Sequence, residues 1–164
     1  MSSSRRSRFA IEISDPDAGL ACDLTPESDV MMIAFGGKAG RLGIAPFEFL
    51  KVVDGFGVKK VFLRDRHRSW YHQGVDGVGT TIDAVAGSLA RLVADNDVRR
   101  TVALGNSAGA YGALLFGHLL AVDEVHAFSP QAFIDREMLH AIGDRRWDDM
   151  LDVLERSCSS AIAT

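Results

Sequence analysis

The 164-residue sequence has little cysteine and no long apolar run, and each shortage excludes a class of protein. Its two cysteines, Cys22 and Cys158, are far apart and lack the close spacing of metal ligands. We therefore expect two reduced thiols rather than a disulfide framework or a metal site. No run approaches the ~18 apolar residues that a membrane-spanning helix needs, and no signal-peptide core follows the first residues. We expect a cytoplasmic protein that has no membrane partner.

Positive charge is also in short supply, since 18 lysines and arginines stand against 22 acidic residues and give a net charge of −4. The basic cluster of Arg5, Arg6 and Arg8 lies in a polar leader over residues 1–8, which we expect to be disordered. This charge balance argues against nucleic acid as a partner. Hydrophobic residues make up 47% of the chain, which predicts a single globular domain over residues 9–156 and a disordered tail over 157–164.

Short apolar runs alternate with helix-like segments along the chain. The predicted strands are 9–13 (an edge strand), 30–35, 60–63, 101–104 and 124–128, and the predicted helices are 46–53, 80–95, 108–120, 133–142 and one that starts at Asp144. Strands that are separated by helix-length crossovers form parallel sheets. The sequence therefore predicts a doubly wound α/β fold, with a mostly parallel sheet and helices on both faces.

The segment Gly105-Asn106-Ser107-Ala108-Gly109 lies between a predicted buried strand and a predicted helix. A serine on a tight strand-to-helix turn exposes its hydroxyl at the carboxyl edge of the sheet, and only small residues fit two positions before and after it. The N–H of Ala108, at the start of the helix, can point at a developing oxyanion. This pattern favours Ser107 as a nucleophile. The alternative is a small-residue turn that lets the helix and the strand pack closely.

Three features resemble the α/β-hydrolase family, and together they cover about residues 30–135. They are Gly105-Asn106-Ser107-Ala108-Gly109, Phe35-Gly36-Gly37-Lys38 and Phe128-Ser129-Pro130-Gln131, the last being similar to a little-characterised bacterial branch. The resemblance implies that Ser107 is the catalytic nucleophile. It implies that N–H groups of Ala108 and of Gly37 or Lys38 form the oxyanion hole. The implied reaction is hydrolysis of a small-molecule ester or thioester through an acyl-serine intermediate, without a cofactor or a metal.

Histidine is scarce downstream of Ser107, where the order of residues in this fold requires a base after an acid. His118 points away along the helix that follows Ser107, and His126 lies within a predicted strand. His140 follows Asp135 on one helix, but five residues of separation turn the two by about 140°. We therefore expect a hydrolase that is shortened at its carboxyl end and impaired by loss of the triad segment. Its uncovered sheet edge would allow self-association.

Two hypotheses from other classes compete with an active hydrolase. A catalytically inactive binding module with the hydrolase fold is the stronger one, because the chain lacks a convincing base. Nucleotide binding is the weaker one, since residues 36–43 satisfy neither the dinucleotide-binding pattern nor the phosphate-loop pattern.

The loop over residues 64–74 is dense in polar and aromatic groups at the predicted carboxyl edge of the sheet, where open α/β sheets carry their sites. The expected substrate contacts are Arg64, Arg68, Trp70, Ser129 and Gln131. The alternative for the loop is a solvated charged segment with Trp70 packed inward. His67 and His72 remain candidates for an unorthodox base, and their spacing does not resemble a metal site.

Overall fold

The computed structural model describes residues 2–37 and 47–162. Within these ranges the strands are β1 (Leu20–Asp23), β2 (Val30–Phe35), β3 (Lys59–Leu63), β4 (Arg100–Asn106) and β5 (Glu124–Phe128). The helices are α1 (Ser2–Ser14), α2 (Leu50–Val53), α3 (Ile82–Ala94), α4 (Ala108–Leu119), α5 (Arg136–Ala141) and α6 (Asp148–Ile162). No helix in the described ranges is long and apolar enough to cross a membrane.

The strands form one sheet in the order β1-β3-β2-β4-β5. The last four strands in this order pair in parallel, whereas β1 runs antiparallel to β3. The α/β class and the mostly parallel sheet are therefore confirmed, and the sheet is mixed because of β1. Phe35 pairs with Gly105, and Asn106 pairs with Phe128. Strands β2, β4 and β5 are therefore neighbours, and their carboxyl ends lie side by side at the carboxyl edge of the sheet.

Helices cover both faces of the sheet, as the sequence predicts. Ile33 and Phe35 of β2 point to one face and pack against Leu89 of α3 and Phe116 of α4. The rings of Phe35 and Phe116 stack with their centroids 5.4 Å apart. Alternate residues of the same strand, such as Ala34, point to the opposite face, where α1 and α2 pack. Each fully buried large apolar side chain contributes about 1.5–3 kcal/mol, so both layers hold the sheet in place.

The prediction of an edge strand at residues 9–13 is wrong, because these residues belong to helix α1. Phe9 and Ile13 are four residues apart and therefore share one face of the helix. Both pack on the sheet, and the ring of Phe9 lies 6.1 Å from that of Phe62. Ile11, which would share their face in a strand, is instead 68% exposed. Tertiary packing has selected the helical period over the alternating one.

The two ends of the described chain are helical. Helix α1 begins at Ser2, within the leader that the sequence predicts to be disordered over residues 1–8. Helix α6 ends at Ile162, within the tail predicted to be disordered over 157–164. Each helix is held at its other end by apolar packing, which for α6 comes from the buried Met150 and Leu151.

Strand β1, which the sequence analysis missed, forms one edge of the sheet beside α1. Its half-buried Cys22 is a free thiol, and burial raises the pKa of this thiol to about 12. The backbone N–H of Cys22 donates a hydrogen bond of 3.0 Å to Oε2 of Glu12 in α1. Strand β5 forms the opposite edge, where Val125 and Phe128 are 37% and 52% exposed.

Candidate active site

Ser107 occupies a one-residue turn between strand β4 and helix α4, as predicted. Its backbone has φ 55° and ψ −120°, a conformation that residues other than glycine rarely adopt. Such strain costs about 1–3 kcal/mol and persists only where the surroundings enforce it. The N–H of Ser107 donates to the carbonyl oxygen of Phe128 at 2.9 Å, and its carbonyl accepts from Ala110 at 3.0 Å. These bonds hold the turn against the end of β5.

Two glycines make this turn possible. A Cβ atom on Gly105 would lie 2.1 Å from the carbonyl oxygen of Gly109. A Cβ atom on Gly109 would lie 2.2 Å from the carbonyl oxygen of Phe35, at the end of β2. Both distances are far inside van der Waals contact, so any side chain would force the backbones apart. The glycines are required because β2, β4 and α4 approach one another closely around Ser107.

Ser107 lines a cleft of about 370 Å³ at the carboxyl edge of the sheet. The other described lining residues come from the loop after β5, from α5 and from the segment before α6: Ser129, Pro130, Gln131, Ala132, Phe133, Leu139, Ile142, Asp144, Arg146 and Trp147. The hydroxyl of Ser107 accepts no hydrogen bond from an N–H group of α4, and the residue is half-buried. It is therefore left to interact with a molecule in the cleft.

Of the expected oxyanion donors, Ala108 has the clearest geometry. It is the first residue of α4, so its N–H has no acceptor within the helix. Gly37 also lies beside the turn, since a Cβ atom there would be 3.0 Å from the carbonyl oxygen of Asn106. However, the N–H of Gly37 hydrogen-bonds to the carboxyl group of Glu48 and lowers its pKa, an effect that is smaller than the rise in pKa from burial. Lys38 lies outside the described residues.

Trp70 is not among the described lining residues of the cleft, but it contacts one of them. Its side chain is fully buried and packs inward, but Asp65, Ser69 and Tyr71 are buried as well, so the loop is not the solvated segment of the alternative. The indole Nε1–H donates to Oε1 of Gln131 at 2.7 Å, and the ring packs edge-on against Trp147 with centroids 6.3 Å apart. Gln131 and Ser129 line the cleft with Ser107. The structure thus brings these three predicted site residues together and assigns Trp70 to holding one of them.

Neither of the two arginines predicted to contact substrate lines this cleft. Arg64 donates to the carbonyl oxygens of Pro16 and Ala18 at 2.9 and 3.2 Å, so it holds the chain between α1 and β1. Arg68 donates to Oδ2 of Asp149 in α6 at 2.7 Å. Both guanidinium groups are therefore engaged in tying chain segments together.

A buried carboxylate that the sequence analysis missed organises the loop after β3. Asp65 is 2% exposed, and its Oδ2 accepts hydrogen bonds from the N–H groups of Ser69 at 2.8 Å and Tyr71 at 3.1 Å. Burial raises the pKa of Asp65, and these N–H contacts oppose the rise. Arg68, Trp70 and Tyr71 all have positive φ, at 55°, 51° and 68°. Asp65 is the anchor of a strained loop.

None of the five histidines lines the Ser107 cleft. His72 contacts α4, where its Nε2 lies 3.0 Å from the hydroxyl of Tyr111. Burial lowers the pKa of His72, so its imidazole favours the neutral form. His140 pairs with Asp148 at 2.7 Å rather than with Asp135, whose side chain instead caps α5.

The remaining histidines have acidic neighbours or lie at a helix end. His67 lies 3.0 Å from Asp76, and His126 lies 3.4 Å from Glu124 on the same strand. His118 is in the last turn of α4, at the end opposite to Ser107. The described residues therefore supply a serine and one clear backbone donor, without an imidazole in the cleft.

Comparison with family models gives no match for this chain, and neither the search of curated proteins nor that of solved structures finds one.

Proposed function

We propose that the chain is a serine hydrolase of the α/β-hydrolase type, which cleaves a small-molecule ester or thioester through an acyl-Ser107 intermediate. The observation that carries this proposal is the strained backbone of Ser107, at φ 55° and ψ −120° between a parallel strand and a helix. Strain of this kind is a feature of nucleophiles that must project from a strand-to-helix turn. The proposal includes a small-molecule partner and a cytoplasmic location, the latter in keeping with the two expected reduced thiols.

The proposed chemistry follows from the groups around the cleft. Oγ of Ser107 attacks the carbonyl carbon and forms a C–O bond, while the C–O or C–S bond to the leaving group breaks. The hydroxyl proton passes to the departing alcohol or thiol. Water then cleaves the acyl-serine and releases the acid. The N–H of Ala108 can stabilise the oxyanion that forms in each step, since it lies at the amino end of α4.

Turnover is expected to be slow, because no histidine lines the cleft. A serine without an adjacent base remains a neutral hydroxyl and a weak nucleophile. Oxyanion donors and substrate binding alone leave roughly 10³–10⁴-fold catalysis over water. The engagement of the Gly37 N–H by Glu48 reduces the oxyanion contribution further in this conformation.

These same observations favour a second candidate function, a catalytically inactive binding module with the same fold. In that case Ser107, Ser129 and Gln131 would supply hydrogen bonds to a bound molecule. Trp70 would still be needed, because its indole fixes the amide of Gln131.

Covalent labelling separates the two candidates. An alkyl fluorophosphonate should modify the wild-type protein at Ser107 and leave Ser107→Ala unmodified, as measured by intact-mass and peptide mass spectrometry. Ser88→Ala is a matched control, because Ser88 lies on α3 and its hydroxyl donates to the carbonyl oxygen of Val78. Labelling of the control should equal that of the wild type. Absence of labelling in the wild type would exclude the hydrolase and favour the binding module.

A further inference from the structure

An apolar groove lies next to the Ser107 cleft. It has a volume of about 520 Å³ and includes Phe49, Leu50, Val52 and Phe128 among its lining residues. Val52 is 68% exposed and Phe128 is 52% exposed, so the groove presents apolar side chains to water. The rings of Phe49 and Phe128 are 6.1 Å apart and join the two sides of the groove. Its volume falls within the roughly 300–1,000 Å³ that is typical of small-molecule sites.

The groove and the cleft meet at Ser107. Asn106 and Phe128 line the groove, and the residues that follow them in the chain, Ser107 and Ser129, line the cleft. Asn106 pairs with Phe128 across β4 and β5, and the Ser107 N–H donates to the Phe128 carbonyl at 2.9 Å. These contacts fix the serine at the boundary between the two depressions.

The two depressions differ in their chemistry. The cleft contains the ion pair of Asp144 and Arg146 and the amide of Gln131. In the groove, hydrocarbon and aromatic surface predominates, and the polar residues of its described lining are Glu48, Lys51 and Asn106. A molecule that spans the serine would therefore meet mainly apolar surface on the groove side, and a mixture of polar and apolar groups on the cleft side.

We propose that the groove binds the acyl chain of the substrate and that the cleft receives its polar alcohol or thiol portion. The substrate class is then an ester or thioester of a medium-length apolar acid, with a polar leaving group. This inference rests on the proposed function for its link to catalysis. Each methylene buried in the groove strengthens binding about four-fold, so the preference should grow with chain length.

Chain-length selectivity tests the proposal in the intact protein. The wild type should hydrolyse p-nitrophenyl octanoate with a kcat/KM at least ten-fold above that for p-nitrophenyl acetate. Val52→Asp should remove most of this difference, because it places a charged carboxylate among the apolar groups that line the groove. Met138→Asp is a matched control, since Met138 is 52% exposed on α5 outside both depressions. Equal kcat/KM values for the two wild-type substrates would overturn the proposal.

A binding measurement distinguishes failure of the groove from failure of the hydrolase. Saturation-transfer difference NMR on Ser107→Ala should show octanamide bound and acetamide unbound. The octanamide signal should fall at least five-fold when Val52→Asp is added and remain with Met138→Asp. If octanamide binding depends on Val52 but the wild type shows no ester turnover, the groove is supported and the hydrolase is excluded. Turnover of acetate without octanamide binding, or binding that is insensitive to Val52→Asp, would overturn the groove and leave the hydrolase intact.

Discussion

The Ser107 turn and the loop anchored by Asp65 both hold non-glycine residues at positive φ, but they achieve it by different means. At the turn, the backbones of β2, β4 and α4 approach so closely that Gly105 and Gly109 admit no side chain. In the loop, a buried carboxylate accepts backbone N–H groups and holds the residues in place. The turn depends on the lack of side chains at two glycines, and the loop depends on hydrogen bonds to the carboxylate of Asp65.

The two regions also differ in where their strained side chains go. Trp70 and Tyr71 of the loop are fully buried, and the hydroxyl of Tyr71 donates to the carbonyl oxygen of Gly36 at 2.7 Å. The Ser107 side chain lines an open cleft instead. In the loop, burial of Trp70 and Tyr71 in the core offsets the backbone strain. At the turn, the Ser107 side chain adds little packing that could offset it. Backbone strain points to function most strongly where the strained side chain remains accessible.

Substituting the glycines of the turn should have the largest effect on this comparison. Gly105→Ala and Gly109→Ala should each lower the free energy of unfolding by about 3 kcal/mol or more, because the new methyl group would overlap backbone atoms. Gly87→Ala in α3 is the control, since a Cβ atom there meets nothing within 4 Å. It should stabilise the protein by about 0.5–1 kcal/mol. Urea unfolding measures all three, and wild-type stability in Gly105→Ala would contradict the steric account.

Removing the carboxylate of Asp65 should have the next largest effect. Asp65→Ala leaves two buried N–H groups without an acceptor, which should cost about 2–3 kcal/mol of unfolding free energy. Asp65→Asn keeps one acceptor oxygen and should cost less. Asp76→Asn serves as the control, because Asp76 is a partly exposed partner of Arg66 and His67. Its loss should cost about 1 kcal/mol or less. Equal losses for Asp65→Ala and Asp76→Asn would show that the carboxylate of Asp65 does not hold the loop.

A change at His72, which joins the loop to α4 through Tyr111, should have the smallest effect. Burial lowers the pKa of His72 in the folded protein, so the neutral imidazole is favoured there. Its contribution to stability is present above its unfolded pKa of about 6.5 and is lost as the pH falls through its folded pKa. His72→Gln should therefore lose less stability than the wild type between pH 7.5 and pH 5.5. Urea unfolding at both pH values checks this, and equal losses in the two proteins would contradict it.

The sequence predicts the parallel strands well because each contains a short apolar run, which in the central strand β2 is mostly buried. The bounds of β2 and β5 match the prediction, and Ser107 lies in the predicted strand-to-helix turn. Helix α1 was missed because Phe9, Ile11 and Ile13 alternate as they would in a strand. The ion pair of Arg8 and Glu12, 2.7 Å apart and four residues apart in the chain, is the helical signal that could have identified it.

The candidate site could be predicted where it depends on topology. Parallel strands end at one edge of a sheet, so Ser107, Ser129 and Gln131 were expected near one another and do line one cleft. The roles of Asp65 and Glu48 could not be foreseen, because they depend on which backbone N–H groups the folded chain turns toward each carboxyl group. The apolar groove is likewise a product of packing between α2 and β5 rather than of a local pattern.

The reactivity of the Cys22 thiol can report the opening of the β1 edge of the sheet. Burial raises the pKa of this thiol to about 12, so the reactive thiolate is strongly disfavoured at pH 7 while β1 is docked. Release of β1 from β3 restores an ordinary thiol, which ionises far more readily. In a chain whose Cys158 is replaced by serine, the rate of alkylation at low reagent concentration would therefore report the fraction of molecules in which the edge beside α1 is open.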